Sequence, residues 1–128
     1  MTSADQPRGK LALLTTGMPA DTNVNGDIFG GWLVSHMDIA GGMESRRRAK
    51  SRTVTVAINE MTFIKPVNVG DAVSCYIDLI KVGRTSMTFH IEVWTTSPIK
   101  DSSLQKVAQG QFTFVAIDDA GNPRLVDR

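Results

Sequence analysis

The chain has 128 residues, 14 Lys and Arg against 13 Asp and Glu, one Cys and 41% hydrophobic residues, the composition of a soluble globular domain. A net charge of +1 with 6% aromatic residues offers neither a field for polyanions nor a surface for stacking bases, so nucleic acid is not an expected partner. One cysteine excludes an internal disulfide, and Met1–Lys10 holds no apolar run of signal-peptide length; together these predict a cytoplasmic protein.

No stretch approaches the roughly 18 apolar residues of a membrane span, so no membrane association is expected. A chain of this length hides roughly 65% of its unfolded surface, enough for a core without a structural metal. Without repeats or linkers, the sequence reads as one domain over residues 1–128, with residues 1–9 expected to be flexible.

Lys10–Thr16 is a short apolar run that predicts a first strand, ended by Gly17 and Pro19. Asp21-Thr-Asn-Val-Asn-Gly-Asp27 follows, dense in residues that bend the backbone or cap helices. From Gly30 to Lys50 the sequence predicts the only long helix, with Trp32, Leu33, Val34, Met37, Ile39, Ala40 and Met43 apolar on nearly every side. Such a helix is expected to be buried, and to emerge into water over the charged segment Glu44–Lys50, whose cations suit the negative end of its dipole.

After Ser51 the period is two. Val54, Val56 and Ile58 are expected to point one way, and the phase then slips before Met61 and Phe63, predicting a β-bulge near Asn59 and Glu60. Pro66 and Gly70-Asp71 form a turn. Val73, Cys75, Ile77 and Leu79 alternate, Lys81–Arg84 reverses the chain, and Met87, Phe89, Ile91 and Val93 alternate again, which is a hairpin of two long strands. A loop from Ser97 to Ser103 leads to a last strand over Val107–Ile117, closed by the turn Asp118–Pro123. Short connections require antiparallel pairing. The expected fold class is therefore α+β, one long helix against a curled antiparallel sheet, whose edges call for a second copy of the chain.

Asp38 stands in the middle of the apolar helix. Burying a charge without partners costs several kcal/mol, so two readings are open: a carboxylate facing solvent or a partner chain, and a general base or nucleophile in a desolvated cleft. Gly41 and Gly42 follow it, each costing roughly 1 kcal/mol relative to Ala; close packing explains them more economically than room for a ligand. Gly26-Asp-Ile-Phe-Gly-Gly31 precedes the helix, and glycine-rich backbone at a helix start presents free N–H groups to an anion. Asp38, two turns after Gly30, is expected to share one groove with those donors.

His36 and His90 lack metal-ligand spacing, so no metal is expected. His90 falls on the polar face of its strand and is expected at the surface, whereas Cys75 alternates inward as a small core hydrophobe. No Gly-x-Ser-x-Gly elbow is present. Arg46-Arg47-Arg48 with Lys50 and Arg52 reads as a solvated helix end, with a phosphate partner as the alternative.

Asp21–Trp32 with Met37-Asp38 and Ala40-Gly-Gly42 resembles the bacterial acyl-CoA thioesterases of the hot-dog superfamily. Val54-Thr-Val56, Phe63-Ile-Lys-Pro-Val67, Val69-Gly-Asp71, Lys81–Ser86 and Phe112-Thr-Phe-Val115 continue the match in order over residues 10–122. The resemblance implies a hot-dog fold, a central helix wrapped by a five- to six-stranded antiparallel sheet. It also implies hydrolysis of acyl-CoA to CoA and a free acid without a cofactor, in homodimers with sites at the subunit interface, often assembled as trimers of dimers. Carried over residue by residue, Asp38 is the helix carboxylate and the Gly30 and Gly31 amides polarise the thioester carbonyl. Asp27 and Asn25 lie in the polar loop that approaches the partner's carboxylate; the family often has Asn where Asp27 stands. Coenzyme A contacts fall on Lys65 and on Gly83, Arg84, Thr85 and Ser86, with Arg84 the phosphate partner. The arginine run is outside the motif. A non-catalytic acyl-CoA-binding module of the same fold is the alternative, and a dehydratase would call on a His that neither His36 nor His90 supplies in a recognisable motif.

Overall fold

The computed structural model describes residues 6–100 and 103–127. Strand β1 (Lys10–Thr16) leads through a single 3-10 turn at Pro19–Asp21 to helix α1 (Gly30–Ala49), followed by β2 (Arg52–Phe63), β3 (Ala72–Val82), β4 (Ser86–Thr96) and β5 (Gln105–Ile117). All strand pairs are antiparallel, in the order β1-β3-β4-β5-β2. The sheet is open, with β1 and β2 at its edges. This is the hot-dog arrangement that the resemblance implies. The loop expected from Ser97 to Ser103 lies partly outside the described residues, and β5 begins two residues before the expected Val107.

The alternation of β3, β4 and β5 builds the core. Val73, Cys75, Met87, Ile91, Phe112 and Phe114 are buried on the face that receives α1, which sets Trp32, Leu33, Met37, Ala40, Gly41 and Ala49 against them. Burial lifts the Cys75 thiol to about 12, because a thiolate would lose its water. A Cβ on Gly41 would lie 2.5 Å from Phe114 Cε1 and 3.3 Å from Ile91 Cδ1, so this glycine lets the helix backbone approach the sheet. Gly42 has no such neighbour, only the Arg46 guanidinium at 3.2 Å. The helix ends where Lys50 turns left-handed at φ 55 and donates its N–H to the Arg46 carbonyl.

Burial of α1 on every side is not observed. Ile39 is 49% exposed, and Val34 and Met43 are half-buried, because a single sheet covers only one side of the cylinder. The expected common face of Val54, Val56 and Ile58 is broken as well. The register shifts between Thr55 and Ala57, so Val54 pairs with Val115 while Ile58 pairs with Phe112, which belongs to the opposite face. The bulge expected near Asn59 and Glu60 is present, with Glu60 at φ 54.

His90 is not at the surface. Its side chain is 13% exposed and its Nε2 lies 2.8 Å from the buried Glu92, on the outer face of the sheet. Glu92 also accepts hydrogen bonds from Trp94 Nε1 and the Arg8 N–H, with Lys106 3.6 Å away. These partners outweigh burial and hold the Glu92 carboxyl below the usual glutamate range. Of the terminal segment expected to be flexible, residues 1–5 lie outside the described residues; Arg8 is tied to the sheet through Glu92 and Asp78.

Candidate active site

Helix α1 starts without a side-chain cap on Phe29. Its opening Gly30 and Gly31 amides have no carbonyl one turn back to bond, and they sit at the positive end of the dipole. Gly30 is held close to Phe63: a Cβ there would meet the ring at 3.0 Å. A cleft of about 370 Å³ opens at this helix end, lined by Asn23, Asp27, Gly30, Leu33, Phe63 and Lys65 among others.

Within that cleft the polar loop is organised by Asn23, a residue that sequence reasoning passed over. Its Oδ1 accepts the N–H groups of Asn25 at 2.8 Å and Asp27 at 3.2 Å, and its own N–H donates to the Asp27 carbonyl at 2.7 Å. Gly26 supplies the left-handed step at φ 84. The Asx-turn signature of Asn23-Val-Asn-Gly was the available signal. The structure brings Asp27 and Gly30 together; Asn25 is exposed outside the cleft lining.

Asp38 does not share that groove within one protomer, contrary to expectation. Eight residues of helix carry it about 12 Å along the axis and about 80° around it from Gly30, so it faces β2 rather than the cleft. There its Oδ1 accepts the Thr55 hydroxyl at 2.6 Å, and the carboxylate is half-buried. Thr55 is a second residue the sequence did not flag, since a sequence separation of 17, with the helix end and turn in between, hides the contact. Two turns further on, Ser45 likewise meets Thr53 at 2.7 Å. At Thr53 and Thr55 the side of β2 facing the helix is thus hydroxyl-bearing.

The remaining predicted contacts lie at two ends of the sheet. The Lys65 N–H donates to the Val107 carbonyl, whereas Ser86 pairs with Val115; eight residues of β5 separate these rungs by about 26 Å. Lys65 Nζ lies 3.3 Å from Gln105 Oε1. The Gly83–Ser86 turn is pinned from three sides: Gly83 N–H donates to the Ser86 carbonyl, Ala116 N–H to the Thr85 carbonyl and Val126 N–H to the Arg84 carbonyl. The exposed Arg84 side chain is left for another partner. Among the described residues no three His, Cys, Asp or Glu gather as metal ligands, and no helix is long and apolar enough to cross a membrane.

Residues 25–101 match the Thioesterase superfamily. The acyl-CoA thioester hydrolase YciA of Salmonella typhimurium is 48% identical over 127 residues, 97% of this chain and 96% of that protein. Among solved structures, the hexameric thioesterase y2039 from Yersinia pestis is 50% identical with a TM-score of 0.91, covering 96% of this chain and all of that one. HI0827, a hexameric broad specificity acyl-coenzyme A thioesterase, is 46% identical with a TM-score of 0.88, over 96% and 84% of the two chains.

Proposed function

The chain belongs to the Thioesterase superfamily, and we propose that it hydrolyses acyl-CoA thioesters to free CoA and a carboxylic acid. The observation that carries this reading is Asp38: a half-buried carboxylate on a largely apolar helix, aimed by a short hydrogen bond from Thr55. The Gly30 and Gly31 amides stabilise the oxyanion as the thioester carbonyl becomes tetrahedral. Asp38 either takes a proton from the attacking water, or attacks the carbonyl carbon to give a mixed anhydride that water then cleaves. In both routes the C–S bond breaks and the CoA thiolate leaves to be protonated.

Asp38 and the amides lie about 12 Å apart in one protomer, and Lys65 and Arg84 occupy opposite ends of the sheet. A working site therefore draws on two copies. The exposed apolar side chains Val54, Val56, Ile58 and Phe63 on edge strand β2 support a homodimer as the minimal unit. The hexameric assembly of y2039 and HI0827 supports a trimer of such dimers. Asp27 and Asn25 then approach the carboxylate of the other subunit, while Lys65 and the Gly83–Ser86 turn hold CoA, with Arg84 gripping phosphate.

The test is release of CoA thiol from short, long and aryl acyl-CoA esters by wild type, Asp38→Asn and Arg84→Ala. Wild type is expected to turn over, Asp38→Asn to lose about 10²–10⁴-fold in kcat with KM retained, and Arg84→Ala to raise KM at similar kcat. Near-wild-type turnover by Asp38→Asn sinks the assignment. Binding without turnover by wild type over many hours returns the protein to the non-catalytic reading.

A further inference from the structure

Where α1 leaves the sheet, a cleft of about 380 Å³ is lined by Arg48, Lys50, Arg124, Val126 and Asp127. Its one carboxylate is already engaged: Asp127 accepts both terminal nitrogens of Arg48, at 2.7 and 3.3 Å. Lys50 and Arg124 have no side-chain hydrogen bond or ion pair among the described residues, so the cleft carries two uncompensated cations. Lys50 sits on the left-handed residue that ends the helix.

This cleft adjoins the turn that carries Arg84. Val126 is buried in the core, and its N–H donates to the Arg84 carbonyl at 2.9 Å, while the next residue grips Arg48. The Arg124 N–H is fixed on the Ala116 carbonyl, beside the Ala116 N–H that donates to Thr85. A short C-terminal segment thus holds two cationic stations side by side, Arg84 on one flank and Lys50 with Arg124 on the other.

Coenzyme A carries two separate anionic groups on one adenosine, a pyrophosphate at the 5′ position and a phosphate monoester at the 3′ position. A monoester bears close to two negative charges at neutral pH, and a lysine point charge with an arginine fork suits it. Building on the proposed placement of Arg84 at a CoA phosphate, we propose that Arg84 meets the pyrophosphate while the Lys50–Arg124 cleft receives the 3′-phosphate of CoA. The cations at the helix end then serve substrate binding, and the enzyme distinguishes CoA esters from esters lacking that phosphate.

Steady-state kinetics with matched acyl-CoA and acyl-dephospho-CoA esters test this. Wild type is expected to show a KM about tenfold higher for the dephospho ester at similar kcat. Lys50→Asn, which removes the charge at a residue type that tolerates the left-handed backbone, and Arg124→Glu are expected to raise KM three- to tenfold for the CoA ester alone, so the discrimination collapses. Arg84→Ala is expected to raise KM for both esters. A wild type blind to the 3′-phosphate, or cleft variants that keep the wild-type ratio, overturns the proposal. An Arg84→Ala enzyme with unchanged KM instead overturns the placement of CoA on its turn.

Discussion

Thr55→Val isolates the hydrogen bond that aims Asp38. The substitution keeps shape and β-branching and removes only the hydroxyl that meets Asp38 Oδ1 at 2.6 Å. A hydrogen bond to a charged group contributes about 1.5–3 kcal/mol. If that energy is expressed in the transition state, kcat falls by about 10- to 150-fold, at 1.36 kcal/mol per decade. Stability moves much less, because both residues reach solvent and water replaces the lost donor; the unfolding free energy from urea titration is expected to stay within about 1 kcal/mol of wild type. Thr55→Ser restores the donor and should return most of the rate. The assay is CoA thiol release at saturating and limiting ester, which separates kcat from KM. A Thr55→Val enzyme within twofold of wild type in kcat, or a Thr55→Ser enzyme as slow as Thr55→Val, refutes the positioning role.

Gly41→Ala drives a methyl to 2.5 Å from the Phe114 ring, and such overpacking costs about 1–3 kcal/mol. Combining it with Phe114→Leu should relieve the clash, so a double-mutant cycle by thermal unfolding is expected to show coupling of about 1 kcal/mol or more, and additivity would count against the close approach. The Cys75 thiol, buried and raised to about 12, is expected to stay silent to an aromatic disulfide reagent at pH 8 until the protein unfolds; prompt labelling of native protein contradicts this, whereas silence makes such a reagent a clean reporter of released CoA. The Glu92 carboxyl is held below its usual range by His90, Trp94, Arg8 and Lys106 against the cost of burial. A group depressed in the folded state adds stability above its unfolded value of about 4.3 and loses it as pH falls through the folded value. Glu92→Gln should therefore lower the urea midpoint at pH 7, with the difference from wild type shrinking as pH falls below the usual glutamate value of about 4.3; a difference that stays constant as the pH is lowered refutes the assignment.

The elements themselves were legible because each has one dominant period. The apolar run of α1 and the alternation of β3, β4 and β5 mark a buried stripe and buried faces directly. Strand β2 was harder. Its apolar residues read as one face, but an extra residue between Thr55 and Ala57 turns the pleat, and its hydroxyls face the helix instead. His90 misled for a related reason: alternation placed it correctly on the outer face of the sheet, but says nothing of what covers that face, and Glu92 with Arg8 closes over it.

The site was legible only as a set of residue types. Asp38, Gly30 and Gly31 stand out in the sequence by being costly where they are, yet helix geometry alone separates the carboxylate from the amides by about 12 Å and 80°. A larger separation, about 26 Å along β5, parts Lys65 from the turn that carries Arg84. The residues proposed to act together are thus dispersed over one protomer in two halves, and each half ends beside an exposed apolar edge, Phe63 for the amides and Val54 for the carboxylate. In the proposed homodimer a second copy would both cover that edge and supply the missing half, so apolar burial and catalysis would select the same assembly. On the proposed reading, that coupling would account for the exposure of Val54, Val56, Ile58 and Phe63 on β2.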